Sequence, residues 1–208
     1  MSIAEPINQM KEMMFAFRRH VCGVIAASLF LTLTTFAVAQ DLVFNVEPAH
    51  STLTFTLGDV LHTVRGTFQL KQGSLRLDPA SGKLSGEIVA DAKSGNTGSG
   101  MRDRKMNREI LETDRYPEIA FRPDHVEGSV VVPGKSSVRV HGIFNIHGSD
   151  HELTVPADVE TFPDHWTATL HFVVPYTKWG MKNPSTMFLR VSESVNIDLI
   201  TTGALARP

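Results

Sequence analysis

The chain has 208 residues, with 20 Lys and Arg against 22 Asp and Glu, a formal net charge of −2 and a single cysteine. That length suits one domain with a sizeable core, and 42 % hydrophobic with 20 % charged residues is the composition of an ordinary globular protein, not a disordered one. A near-neutral chain without a Lys/Arg block is excluded as a broad nucleic-acid binder, and one cysteine builds neither an internal disulfide nor a multi-cysteine zinc site.

Residues 1–39 read as a cleaved signal peptide. Arg18, Arg19 and His20 precede an apolar run from Val21 to Val38 that closes on Ala37-Val38-Ala39, the small-x-small pattern cut by signal peptidase. The competing reading is a retained membrane anchor. Against it stand the weakly apolar second half of the run and Gln40-Asp41, which occupies the place of a basic stop-transfer flank. Met13 or Met14 makes a more natural start than Met1. Cleavage after Ala39 removes Lys11, Arg18, Arg19, Glu5, Glu12 and Cys22, leaving 17 basic and 20 acidic side chains, a formal −3. The exported product, residues 40–208, is then periplasmic or secreted, has no stable membrane span, and is held together by its core alone.

Beyond residue 40 the sequence beats in twos. Leu53-Thr54-Phe55-Thr56-Leu57 alternates apolar with polar, and the same rhythm returns at Val64, Gly66, Phe68, Leu70; at Leu75, Leu77; at Ile119, Phe121; and at Val138, Val140, Gly142, Phe144, Ile146. It continues at Leu153, Val155, Ala157, Val159; at Trp166, Ala168, Leu170, Phe172; and at Val195, Ile197, Leu199. Turn signals separate these runs: Asp78 to Gly82, Pro133 to Lys135, Gly148 to Asp150 and Phe162 to Asp164. Many short strands without crossover helices imply antiparallel pairing in a sandwich or a barrel. One segment breaks the rhythm: Met101 to Glu112 lacks Gly and Pro, is rich in helix formers, and predicts a short helix. The Gly/Ser-rich stretch Ser94 to Gly100 before it reads as a flexible loop, and Pro117 forces an extended exit.

Glycines on the apolar parity favour the barrel. Val64-Arg65-Gly66-Thr67-Phe68 and Val140-His141-Gly142-Ile143-Phe144 share the pattern Val-x-Gly-x-Phe, with a weaker copy at Leu84-Ser85-Gly86. A glycine there marks a sharp bend or a close approach, and several at matching parity are what closing a sheet requires. Bulky Phe55, Phe68, Phe121, Phe144 and Phe172 alternate with Gly66, Gly142, Ala157 and Ala168. Missing side chains beside aromatic walls would leave an apolar slot for a flexible hydrocarbon chain. From periodicity alone, a filled core and an unfilled one both remain open.

The blocks Val46-Glu47-Pro48-Ala49-His50-Ser51-Thr52-Leu53-Thr54-Phe55, Val64 to Phe68, Arg102-Asp103 ahead of Tyr116-Pro117-Glu118-Ile119-Ala120-Phe121, Gly142 to Gly148 and Leu153-Thr154-Val155-Pro156 together resemble the YceI-like family, from about Leu42 to about Leu199. Where many members carry a histidine after the first Phe strand, this chain has Leu57-Gly58-Asp59. The family's Arg-Asp-x-His-Leu is here Arg102-Asp103-Arg104-Lys105-Met106. The resemblance implies an exported, all-β, lipocalin-like antiparallel barrel of about eight strands with one short helix. It also implies a cavity that binds an isoprenoid, a quinone-like molecule or a fatty-acid derivative non-covalently, for transport or sequestration in the periplasm. No cofactor is expected, and a homodimer is left open. The expected ligand-binding residues are Phe55, Val64, Phe68, Met101, Met106, Phe121, Phe144, Leu170, Phe172 and Trp179. The alternatives are a filled-core barrel acting through its surface as an envelope stress or interaction protein and, behind it, a hydrolase.

The remaining chemistry is sparse. His147 and His151 flank the Gly148 turn, where they would face each other across a hairpin with Asp150 or Glu152 as further metal ligands, but no His-x-x-x-His helix or Cys pair supports a metal site. His50 is read as a hydrogen-bonding partner of a nearby loop before it is read as a ligand contact, and His165 and His171 as surface residues. No Gly-x-Ser-x-Gly elbow or nucleophile-and-base pair supports an enzyme, and Arg102-Asp103 reads as an ion pair or a helix cap. Tyr176, Trp179, Met181, Met187 and Phe188, interleaved with Lys178, Lys182 and Arg190, form a long segment before the last strand that either lids the barrel mouth or plugs one end. The signal-peptide reading predicts that the exported protein begins at Gln40. Intact mass spectrometry of the exported form checks this, and a chain retaining residues 1–39 would contradict it.

Overall fold

The two-residue rhythm closes into an antiparallel β-barrel in the computed structural model, which describes residues 40–58, 63–186 and 190–207. The segment 1–39, where the sequence places the signal peptide, lies outside the described residues, as do Met187 and Phe188. The strands are β1 (Leu42–Val46), β2 (Thr52–Gly58), β3 (Thr63–Leu77), β4 (Leu84–Asn96), β5 (Glu118–Glu127), β6 (Gly134–Ile146), β7 (Ser149–Thr161), β8 (His165–Val174) and β9 (Val195–Ala206). Each of β1 and β2 pairs with β3 on one side and β9 on the other. They are therefore two halves of one stave, parted by a single 3-10 turn at Pro48–His50 where the proline has no N–H for a ladder. Nine strands thus make eight staves, and the β3–β4 pairing closes the ring.

Every apolar beat read from the sequence falls on the inner face. Where the parity switches, the chain bulges. Inward residues are even-numbered in β3 up to Leu70 and odd-numbered at Leu75 and Leu77, and the β3–β4 register slips between Leu70 and Gln72. In β5 the same change, from Ile119 and Phe121 to Val126, coincides with a slip between Pro123 and His125. An extra residue in one strand turns the following side chains to the opposite face and tightens the local twist, which a small barrel needs in order to close.

The glycines serve that closure. An added Cβ at Gly142 would lie 2.5 Å from both the Arg122 carbonyl oxygen and Pro123 Cα, at the β5 bulge. One at Gly66 would lie 2.4 Å from the Phe55 ring, which covers the glycine from the neighbouring strand. The expected slot above Gly66 and Gly142 is therefore absent, because an aromatic ring and a strand backbone already occupy those spaces.

The helical segment is shorter and more irregular than the sequence suggests. Helix α1 covers Gly100–Lys105 and passes directly into a π-turn at Met106–Ile110. The stretch expected as a flexible loop is mostly strand, since β4 runs through Asn96 and only 97–99 connect it to α1. An added Cβ at Gly95 would meet the Met106 methyl and the Phe68 ring. The helical segment, the His147-Gly148 hairpin and the connection from β8 to β9 gather at one end of the barrel, here called the mouth. The 78–83, 128–133 and 162–164 turns gather at the other. Among the described residues no helix is long and apolar enough to cross a membrane.

Replacing Gly142 by Val should destabilise the fold by about 2 kcal/mol, the overpacking range, because backbone and not a flexible side chain must give way. Gly58→Ala, with nothing within 4 Å of the added Cβ, should be near neutral. Urea unfolding followed by circular dichroism checks both.

Candidate functional site

The inner wall is apolar, and it does not fill the space it encloses. Phe68, Phe121, Leu170 and Phe172 all point inward yet remain only half-buried, because their inner faces border a cavity of about 590 Å³. That size lies within the roughly 300–1,000 Å³ of small-molecule sites. The room comes from alanines. Ala90, Ala157 and Ala168 sit on the wall at mid-height, where Ala157 pairs across strands with Leu170 and Val159 with Ala168.

Nine of the ten expected ligand-binding residues line this one cavity: Phe55, Val64, Phe68, Met101, Met106, Phe121, Phe144, Leu170 and Phe172. Trp179 does not. It lies off the cavity wall, with its ring stacked on His151 at a centroid distance of 4.1 Å and a further 5.8 Å from the Phe144 ring. The Trp179 ring thus covers the side of the barrel at His151 and neither borders the opening nor fills an end of the cavity. From the same segment Tyr176 and Met181 are buried and do reach the cavity wall, and the Tyr176 hydroxyl donates to the Ser192 carbonyl at 2.6 Å.

One end of the cavity is shut by packing. Phe44 and Trp166 meet edge to face at 5.3 Å, and the Trp166 indole N–H donates to the Asn45 carbonyl. These two rings form a floor; Trp166 stands on the apolar beat of the sequence without an assigned role, and Phe44 is not singled out there. At the mouth, Thr97, Ser99, Met101, Arg102, Lys105 and Met106 border the opening. Asp103 accepts hydrogen bonds from the Thr97 backbone N–H at 2.8 Å and from its hydroxyl at 2.6 Å, while Arg102 Nε donates to the same hydroxyl at 2.9 Å. The Arg102-Asp103 pair therefore pins the mouth loop to α1. Thr201 is a polar residue on the inner wall. It is fully buried, and its hydroxyl meets that of Ser51 at 3.0 Å where β1 gives way to β2.

The wall has one incomplete seam. β7 and β8 pair only from Ala157 to Thr161, so β7 from Ser149 to Pro156 has no strand partner on that side among the described residues. Pro156, without an N–H, stands where the pairing stops. At this level side chains bridge the gap: Phe172 of β8 contacts Phe144 of β6, which contacts Trp179, which covers His151 of β7.

His147 and His151 do not face each other as the hairpin spacing suggested. The turn is His147-Gly148 itself, both in the left-handed region, with φ of 52° and 71°. This two-residue geometry suits the twist of the flanking strands, and it makes His151 the partner of Phe144. His147 packs instead beneath Tyr116 at 4.7 Å and 3.6 Å from a Glu112 oxygen. No group of three or more His, Cys, Asp or Glu converges among the described residues. His50 is exposed and pairs with Glu47 across the 3-10 turn, and His165 and His171 are exposed and each bonded to a carboxylate. His141 lies on the outer wall, where its bond to Asp124 raises its proton affinity.

Comparison with known proteins agrees with this architecture. The profile of the YceI-like domain matches residues 44–202. The crystal structure of Burkholderia cenocepacia BcnA superposes with a TM-score of 0.62 at 17 % identity, covering 76 % of this chain and 99 % of that one. A polyisoprenoid-binding domain from Saccharophagus degradans, implicated in plant cell wall breakdown, superposes with a TM-score of 0.58 at 16 % identity, covering 79 % and 98 %. The Campylobacter jejuni YCEI protein follows with 0.55 at 15 % identity, covering 69 % and 86 %. At these identities the likeness is one of fold. No curated protein matches the sequence.

Burial lowers the proton affinity of His151, whose Nε2 is buried without a hydrogen-bond partner, and the Asp150 charge opposes this to a lesser degree. A group held neutral on folding stabilises the closed seam above the ordinary His value of about 6.5. That contribution is lost as pH falls through the lowered folded value. With Trp166 replaced by Phe, Trp179 is the remaining one of two tryptophans. Its fluorescence should red-shift and become more open to acrylamide on acidification from about pH 7.5 to about pH 5, and His151→Gln should abolish the change. Identical quenching at both pH values would contradict this closure.

Proposed function

The chain belongs to the YceI-like family, and we propose that it binds a long-chain lipid, an isoprenoid, a quinone-like molecule or a fatty-acid derivative, non-covalently in the barrel cavity. The observation that carries this reading is the continuous apolar cavity of about 590 Å³ between the Phe44–Trp166 floor and the Met101–Lys105 rim. A flexible hydrocarbon tail gains about 0.8 kcal/mol for each methylene taken out of water, offset by ordering and association costs, and needs few polar contacts. The wall provides few, Thr201 being the buried exception. The polyisoprenoid-binding domain from Saccharophagus degradans, which shares the fold, supports the ligand class. The reading as a carrier or a store rests on the same lining, which is apolar apart from the rim and Thr201. The signal-like N-terminus supports a periplasmic or secreted place of action.

Organic extraction of the purified protein followed by mass spectrometry should release a long-chain lipid in near-stoichiometric amount. Phe144→Arg, which puts a charge into the wall, should abolish uptake while the circular dichroism of the sheet persists. Phe121→Trp, a gentler change that fills the cavity, should weaken uptake of the longest chains first. No extractable lipid together with no uptake of added polyprenol or fatty acid by the unaltered protein would overturn the proposal.

A further inference from the structure

The rim of the cavity has a composition that the interior does not require. Over the helical segment from Gly100 to Ile110 the chain carries four cations, Arg102, Arg104, Lys105 and Arg108, all exposed, against two carboxylates, Asp103 and Glu109. Asp103 is already engaged with Thr97. Among the described residues Arg104, Lys105 and Arg108 make no ion pair with a carboxylate within 4.0 Å, whereas most cations on the barrel wall do, among them Lys71, Arg76, Lys93, Arg122, Lys135 and Arg139. At the tip of α1, Met101 is 76 % exposed, more than any other exposed large apolar side chain among the described residues. A methionine held in water one helical turn from Arg104 and Lys105, on a chain whose overall formal charge is −2, is not held there by the packing of the barrel wall.

We propose that this end of the barrel docks on the surface of an anionic phospholipid bilayer, with Met101 inserted at the acyl boundary and Arg104, Lys105 and Arg108 at the level of the lipid phosphates. The geometry favours a bilayer over an acidic protein because Met101 and Lys105 also border the cavity opening. Docking by these residues therefore sets the opening against the acyl layer, the environment from which a hydrocarbon tail is drawn. Cations near an anionic membrane surface each strengthen binding roughly five-fold, and the effect fades within a Debye length. Binding is thus salt-sensitive, and it depends on the rim and not on the net charge of the molecule. This inference rests on the proposed lipid binding for its purpose, but the adhesion itself stands or falls separately.

The test is flotation of the purified protein with vesicles of phosphatidylcholine containing roughly 30 % phosphatidylglycerol, and with phosphatidylcholine alone, at about 0.1 M and about 0.5 M salt. The protein should float with the anionic vesicles at low salt, and binding should fall on the order of ten-fold at high salt or on neutral vesicles. Arg104→Glu combined with Arg108→Glu, two residues off the cavity wall, should reduce binding on the order of ten-fold or more and leave extractable lipid unchanged. Met101→Asp should weaken binding to anionic vesicles, while Lys83→Glu at the opposite end should not. Failure to float, equal binding to neutral vesicles, or equal losses in the rim and Lys83 variants would overturn the docking. Absence of extractable lipid with flotation intact would instead remove the lipid-carrying role and leave the docking in place.

Discussion

A sheet rolled into eight staves has a fixed interior width, and the side chains on its inner face must either fill it or enclose a space. In this chain the mid-height wall is built with Ala90, Ala157 and Ala168 while the ends carry rings, so the space stays open along the axis and is sealed at the Phe44–Trp166 floor. Every other feature of the site follows from that distribution. Phe68, Phe121 and Phe172 stay only partly buried because they border that space. The polar groups are confined to the rim and to one threonine.

Closure itself depends on local irregularities. The bulges in β3 and β5, the close backbone approach at Gly142 and the Phe55 ring laid over Gly66 accompany the bending of the sheet on itself. These positions contribute curvature, and the small side chains between them contribute volume. The distinction matters because a glycine and an alanine look alike as gaps in a hydrophobic pattern. A missing Cβ at a strand crossing is filled by the neighbouring backbone, whereas an alanine facing the barrel axis has nothing opposite it to move in.

The architecture was legible because period-two alternation reports burial directly: each predicted inward residue from Leu53 to Leu199 lies on the inner face, and even the parity changes that mark the bulges stand in the sequence. Seven of the expected residues, all on strands, line the cavity for the same reason, whereas Met101 and Met106 lie in the helical segment, where only their apolar character marked them. Trp179 escaped because it lies in a connection without periodicity, where apolar character shows burial but not against what. The pairing of His151 with Phe144 depended on a two-residue turn with His147 in the left-handed region, which a non-glycine adopts seldom enough that spacing alone points to a longer loop. Ser94 to Asn96 were misread because glycine and serine signal a loop when judged locally, while here Gly95 lies inside a strand with the Phe68 ring and the Met106 methyl packed where a Cβ would stand. The cationic rim was visible as residues but not as a surface, since only the fold sets Arg104, Lys105 and Arg108 beside Met101 and the opening.

The central claim is that the barrel axis is an apolar space shaped for an extended chain. A crystal structure of the protein after incubation with a polyprenol tests it most directly. Continuous density along the axis from Phe44 and Trp166 to Met101 would be the predicted result. Inner side chains that repack to occupy the axis, with the added chain nowhere inside, would contradict it.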